Sequence, residues 1–301
     1  MSETVVGMIG LGIMGSAMSA NLLKAGLQVV GFDIMPERVE ALCALGGRGA
    51  ASIAEVAGQC QIIMTSLPSI AAFEEVTQGP DGILAAGGGR TVIETSTLPV
   101  ADKQRAHDVL REAGTVLLDC PLSGTGAQAA TGDLVVFGSG DRAAYEACVP
   151  VFKGFSRSQY FLGKFGNGSA MKFAANLLVA IHNVAAAEAL VLGRKAGLDA
   201  ETMLEVLSDS AGTSRMLEIR GPLMTKGDYD DATMKVDVWQ KDMTVITDFA
   251  RALGCPTPLF SATVPIYSAA LGQGRGKQDT AVVCAVLEEM AGLNRPKQQG
   301  N

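Results

Sequence analysis

Lys172 and Asn176 stand four residues apart in the stretch GKFGNGSAMKFAAN, residues 163–176. Gly163 and Gly168 have the spacing of a phosphate-binding P-loop. That loop needs Lys and then Ser or Thr directly after its second glycine, so that the amine reaches the β- and γ-phosphates and the hydroxyl holds Mg²⁺. Ser169 and Ala170 occupy those places, which excludes it. On a helix, residues i and i+4 project about 40° apart on one face, so the Lys172 amine and the Asn176 amide can touch the same small hydroxyl group. One is a proton carrier and the other a neutral donor that stabilises charge developing on oxygen. An amine of ordinary lysine pKa, about 10.4, is a poor base at neutral pH, so the role requires desolvation or neighbouring positive charge. A solvated surface lysine is the ordinary reading of such a residue, and the rest of the chain decides between the two.

The second constellation is VVGMIGLGIMGSAMSANLLKAG, which supplies Gly10, Gly12 and Gly15 in GxGxxG spacing after an apolar run and at the start of a helical pattern. A lone GxGxxG is weak, but strand, turn and helix are all in place here. Gly10 suits the tight turn, Gly12 a close approach of backbone to a pyrophosphate, and Gly15 close packing of helix on strand. The phosphates then sit at a helix N-terminus, where free N–H groups and the helix dipole favour anions. Asp33 closes the next apolar run, LQVVGFD, 18 positions after Gly15. A carboxylate there accepts ribose hydroxyls and repels a 2′-phosphate, which favours NAD(H) over NADP(H). Arg38, five residues on, weakens that exclusion.

These residues need elements to hold them. From residue 1 to about 160, short apolar runs (VVGMIGLG, LQVVGFD, QIIMTSLP, RTVIETST, TVLLDCPL, DLVVFGSG) alternate with helix-like segments. That order implies βαβ units and a parallel sheet, the last strands running antiparallel or mixed. After Gly168 the chain turns Ala- and Leu-rich at helical spacing. One helix is expected from Ser169 to about Ala196, closed by Gly197, followed by helices over 200–209, 214–225, 233–253, 258–272 and 279–291. The fold class is α/β: a doubly wound dinucleotide-binding domain, residues 1–164, followed by an all-α domain, residues 165–301, with a long interdomain helix and a flexible Gly-rich junction at GKFGNG.

Composition narrows the function. The 301 residues are 48% hydrophobic and 18% charged, with 36 glycines, as for a folded α/β enzyme. A net charge of −7 and a pI near 5.0 offer no basic footprint for nucleic acid or an anionic membrane surface. The N-terminus lacks a basic n-region and reads as strand and turn, and no uninterrupted apolar stretch of about 18 residues is seen to span a bilayer. The six cysteines are scattered without a CxxC pair and read as small buried hydrophobes in a reduced cytoplasm. With two histidines and no clustered acids, no metal is expected. His107 lies in a polar helix, expected to face solvent. His182 lies ten residues past Lys172, too far along the axis to share a small substrate.

With these residues in view, the chain resembles the β-hydroxyacid dehydrogenase family, which includes 3-hydroxyisobutyrate dehydrogenases and tartronate semialdehyde reductases. Four segments in family order carry the resemblance: GLGIMGSAMSANLLKAG (10–26), DCPLSGTGAQAATGDL (119–134), GKFGNGSAMKFAAN (163–176) and KDMTVITD (241–248). The resemblance implies a Rossmann-type domain and hydride transfer between NAD(H) and a small 3-hydroxy acid or its semialdehyde. It places the catalytic lysine at Lys172, as general acid/base, and the hydroxyl-orienting asparagine at Asn176. Substrate contacts fall on Ser123, Gly124, Thr125 and Trp239. Cofactor contacts fall on Gly10, Leu11, Gly12, Ile13, Met14, Gly15, Asp33, Leu67, Pro68, Thr97 and Lys241. Ser123 and the backbone N–H groups of Gly124 and Thr125 are expected to hold the substrate carboxylate. Two departures bear on specificity: Thr125 replaces the family's second glycine, and Trp239 lies two residues before Lys241.

Alternatives sort on the same residues. The 6-phosphogluconate dehydrogenases usually carry His before the asparagine, where this chain has Ala175, and are much longer. Imine reductases commonly replace the lysine with Asp or Tyr. A non-catalytic NAD sensor would be expected to lose Lys172 or Ser123, and both remain; an NADP(H)-dependent reductase of the same superfamily is the other alternative. The surplus apolar faces of the helical region suggest a homodimer or homotetramer.

Overall fold

Alternation along the short apolar runs builds a parallel sheet buried on both faces. The computed structural model describes residues 4–293. Six strands, β1 (Val5–Ile9), β2 (Gln28–Phe32), β3 (Arg48–Gly49), β4 (Ile62–Thr65), β5 (Thr91–Glu94) and β6 (Val116–Asp119), lie in the order β3-β2-β1-β4-β5-β6, and every neighbouring pair is parallel. Successive side chains of a strand point to opposite faces. Met8, Met64, Ile93 and Leu118 accordingly enter one core cluster, while Ile9, Ile63, Val92 and Leu117 enter the other. Strand order reverses between β1 and β4, the place where doubly wound sheets bind ligands.

Helices α1 (Ile13–Lys24), α2 (Pro36–Ala44), α3 (Ile53–Gln59), α4 (Ile70–Gln78) and α5 (Val100–Glu112) connect these strands. A second sheet, β7 (Leu122–Ser123), β8 (Leu134–Gly138) and β9 (Ser156–Phe161), is mixed as expected: β7 pairs antiparallel with β8, and β8 parallel with β9. Between its strands lie α6 (Gly126–Ala130) and α7 (Arg142–Lys153). The sequence pattern does not separate β3, α3, α4, α6, α7 and β9, which are short, edge-placed or polar on one side, and it merges β7 with β6 in the single run TVLLDCPL.

The chain divides into two compact units, Met1–Lys172 and Phe173–Asn301. Helix α8 (Asn167–Lys195) gives its first turns to the first unit and the remainder to the second. It ends before Gly197, whose φ is +89°. The rest of the second unit is α9 (Ala200–Ser208), α10 (Arg215–Lys226), α11 (Val236–Ala252), α12 (Pro258–Gly272) and α13 (Val283–Met290). Phe173 meets Phe249 edge to face, and the buried Asn183 amide donates to Tyr267 Oη and to the Thr280 carbonyl, both at 2.9 Å.

Three expectations change. Gly168 lies inside α8, where a Cβ would stand 2.3 Å from the Phe137 carbonyl oxygen and 2.5 Å from that of Asp119. It serves close backbone packing rather than a flexible joint. Cys60, Cys120, Cys148 and Cys284 are buried as expected, but Cys43 and Cys255 are exposed. Helix α8 contains an 18-residue window of mean hydropathy 1.6, long and apolar enough by length and composition to cross a bilayer, with 44% of that window buried inside the protein.

Candidate active site

The glycines at the end of β1 meet the demands of a dinucleotide cradle. Gly10 has φ +92°, and a Cβ on it would stand 2.2 Å from the Ser66 carbonyl oxygen. A Cβ on Gly15 would stand 1.9 Å from the Gly10 carbonyl oxygen, so the first turn of α1 packs directly on the loop. Gly12 differs: a Cβ there would meet nothing within 4 Å. It precedes α1 with no side-chain cap and no acidic residue in the first turn. Open space lies against a helix N-terminus whose N–H groups favour an anion, which fits a pyrophosphate.

Asp33 joins this loop directly. Its Oδ2 accepts from Leu11 N–H at 2.7 Å and its Oδ1 from Met35 N–H at 2.9 Å, while Arg38 Nη1 stands 3.3 Å from Oδ2. Arg38 Nη1 also reaches Oδ1 at 3.4 Å, so a ribose hydroxyl would take the place of the long Arg38 contacts on this carboxylate. Leu11 is buried, Ile13 is exposed, and Met14 and Thr97 are half-buried. Leu67 N–H donates to Ser96 Oγ at 2.8 Å, and Pro68 is exposed.

Ser123 ends β7 opposite Val135 and is half-buried. Gly124 follows at φ +139°, and a Cβ on it would press on Leu134 at 2.5 Å. Thr125 caps α6: its Oγ1 accepts from Gln128 N–H, and its own N–H donates to Gln128 Oε1 at 3.1 Å. The Thr125 N–H expected to hold a carboxylate is therefore engaged in a capping box, and the threonine in place of glycine has a local structural use.

Lys172 is half-buried, one turn into α8. The helix start is held by groups that sequence reasoning missed. Asp119, at the end of β6, accepts from Ser169 N–H at 2.7 Å and from Ser169 Oγ at 2.8 Å. Gly168 N–H donates to Ser139 Oγ at 2.9 Å. Lys103, on α5, donates to Asp119 Oδ1 at 2.8 Å and to the Ser96 carbonyl at 2.7 Å. The Lys103, Glu94 and Asp119 side chains are all wholly buried. His107, expected in solvent, is also drawn inward, its ring stacked 4.3 Å from that of Phe165.

In the second unit, Asn176 and Asp242 are both buried, and Asn176 Nδ2 donates to Asp242 Oδ2 at 3.0 Å. That bond fixes the amide orientation and leaves the second N–H of Nδ2 for another acceptor. Trp239 is 2% exposed, with its ring beside Tyr267 and its Nε1 without a hydrogen-bond partner among the described residues. Lys241 is exposed.

Residues 5–163 match the family model described as the NAD binding domain of 6-phosphogluconate dehydrogenase. Residues 166–287 match that described as NAD-binding of NADP-dependent 3-hydroxyisobutyrate dehydrogenase. The chain is 35% identical to an L-threonate dehydrogenase of Cupriavidus necator, over 97% of each chain. It is 33% identical to a 2-(hydroxymethyl)glutarate dehydrogenase of Eubacterium barkeri, over 96% of each. Among solved structures it resembles a Mycobacterium tuberculosis 3-hydroxyisobutyrate dehydrogenase with L-serine, with a TM-score of 0.86 and 29% identity over 95% of this chain and 99% of that one.

Proposed function

The chain belongs to the β-hydroxyacid dehydrogenase family, and from that premise we propose that it transfers hydride between NAD(H) and a small 3-hydroxy acid or its semialdehyde, with Lys172 as the proton carrier. The single observation that carries the reading is the cradle at the start of α1. Gly10 and Gly15 admit no side chain, Gly12 opens on free space at a helix N-terminus, and Asp33 is tied to the same loop through Leu11 N–H.

The bound nicotinamide supplies the hydride acceptor or donor. In oxidation, neutral Lys172 Nζ takes the proton of the substrate hydroxyl as the C–H electron pair departs. In reduction, the ammonium returns that proton to the carbonyl oxygen. Asn176, one helical turn further on, is proposed to donate its remaining N–H to the same oxygen, with Asp242 holding the amide in register. Ser123 and the Gly124 N–H are the proposed carboxylate contacts. Asp33 supports NAD(H), because Arg38 is paired with that carboxylate rather than presented alone to a 2′-phosphate. The remaining cofactor contacts are proposed as Leu67, Pro68, Thr97 and Lys241, and Trp239 as a determinant of the substrate pocket.

We further propose the functional boundary at residues 164/165, a homodimeric or homotetrameric state, and a cytoplasmic location. The relatives are named for hydroxy acids, which supports a small polar substrate. The test is a panel of L-threonate, 3-hydroxyisobutyrate, 2-(hydroxymethyl)glutarate and L-serine with NAD⁺, read by absorbance of the reduced nicotinamide. Turnover of at least one, reduced at least a hundredfold by Lys172→Ala, supports the reading. Unchanged turnover in Lys172→Ala refutes it.

A further inference from the structure

Helix α8 is capped from a distance. Most helices satisfy their first N–H groups with a side chain of their own N-cap residue or with water. Here Ser169 N–H and Oγ both go to the Asp119 carboxylate and Gly168 N–H goes to Ser139 Oγ, and Asp119, Ser139 and Ser169 are each wholly buried. Lys103 Nζ completes the arrangement with 2.8 Å to Asp119 Oδ1 and 3.3 Å to Ser169 Oγ. The carboxylate stands at the positive end of the helix, and the Phe137 and Asp119 carbonyl oxygens leave no room for a Cβ on Gly168.

The same aspartate lies four residues before Ser123, and the same serine three residues before Lys172. An α-helix rises about 1.5 Å per residue, so the Lys172 backbone stands about 4.5 Å along the axis from the bolted residue. One buried carboxylate therefore ties the segment that carries the amine to the segment that carries the proposed carboxylate contact. Burying the Lys103–Asp119 pair is an expensive way to cap a helix. The return is a fixed register.

We propose that the Lys103–Asp119–Ser169 chain is a positioning device for the reaction, setting the height of the first turns of α8 against the β6–β7 segment and hence the distance from the Lys172 amine to a substrate held at Ser123. It rests on Lys172 being the proton carrier. Misplacement by about 1 Å costs on the order of a hundredfold in rate, so loosening the register should fall on kcat and spare cofactor binding.

Lys103→Met strands two buried carboxylates and risks unfolding the protein, so the experiment uses Ser169→Ala and, separately, Ser139→Ala. Each is combined in a cycle with Lys172→Ala and assayed with the panel member turned over best. Expected is a fall in kcat of about tenfold to a hundredfold, with KM for NAD⁺ within twofold of the parent. In the Lys172→Ala background, with methylamine as exogenous proton carrier, either serine substitution should change the rescued rate less than twofold, because a free amine is not carried by the first turns of α8 and Asn176 is held separately by Asp242. Equal losses in both backgrounds would mean a general structural role and would overturn the proposal, as would an unchanged kcat in both serine variants. If Lys172→Ala alone retains full turnover, the proton-carrier reading fails and the positioning role fails with it. If Lys172→Ala is inactive and the serine variants are not, only the positioning role fails.

Discussion

Replacing Lys103 with Met tests how much of the stability of the first unit rests on buried charge. Lys103 is wholly buried, donates to Asp119, the Ser96 carbonyl and Ser169 Oγ, and lies 3.9 Å from Glu94 Oε1. Methionine matches the length of the stem, so little cavity is created and the loss is electrostatic. Removing one partner of a buried ion pair costs about 3–5 kcal/mol, a large part of a total stability of about 5–15 kcal/mol. For a unit of this size each kcal/mol moves the midpoint by about 2–4 °C, so Tm should fall by roughly 6–20 °C. Thermal melts followed by far-UV circular dichroism read this. Arg251→Ala is the control, because its pair with Asp248 is exposed on both sides and is worth about 0.5 kcal/mol or less. Lys103→Met/Asp119→Asn should lose less than the sum of the single substitutions, since one of the two stranded carboxylates is then gone and only Glu94 remains. A drop below about 2 °C in Lys103→Met would refute the reasoning: the Asp119 carboxylate would then be neutralised by some other route.

Gly15→Ala should weaken NADH binding at least tenfold by fluorescence titration and destabilise the fold by about 1–3 kcal/mol, because its Cβ would stand 1.9 Å from the immovable Gly10 carbonyl oxygen; near-parental affinity would refute close loop-to-helix packing. Asp33→Ser should raise the ratio of kcat/KM for NADPH over NADH at least tenfold, and an unchanged ratio would show that Asp33 does not choose the cofactor. A thiol-reactive disulfide reagent should modify only Cys43 and Cys255 in the native protein and all six cysteines in denaturant. Burial pushes the Cys60 thiol up to about 11 and that of Cys148 up to about 12. These thiols stay neutral in the folded chain while the unfolded chain ionises above about pH 9. Their contribution is whole below that pH and is lost as pH rises toward about 11 for Cys60 and about 12 for Cys148, so denaturant midpoints should fall across that window.

The parallel sheet was legible because its strands are short apolar runs bounded by turn residues, and each alternates between two buried faces. Helix α8 was legible to within two residues at its start because nothing in it competes with helical periodicity and Gly197 closes it. What escaped was short or edge-bound. Two-residue β3 has no period to read, and β9, SRSQYF, pairs on one side only and buries little. Thr125 was legible as a departure from a family pattern, but its capping box with Gln128 was a local signal, Thr followed three residues later by Gln, that outweighs a ligand reading of its N–H.

Lys103 was the costlier miss, and its signal lies in two patterns that must be read together. Along α5 it shares the buried face with Ala106 and Leu110, at spacings of three and seven, so a lysine stands on an apolar stripe. Along the sheet, the apolar strands TVIE and VLLD both end in a carboxylate, and the parallel register sets Glu94 directly beside Asp119. Two like charges side by side in a buried sheet are untenable without compensation. Thr65 Oγ1 and Ser96 N–H donate to Glu94, and the only full positive charge bonded to the pair among the described residues is the Lys103 ammonium. A helix lysine on the wrong face and two strand-terminal acids in register therefore predict one another. The remaining Asp119 oxygen is then free to reach the first turn of α8, three residues ahead of Lys172.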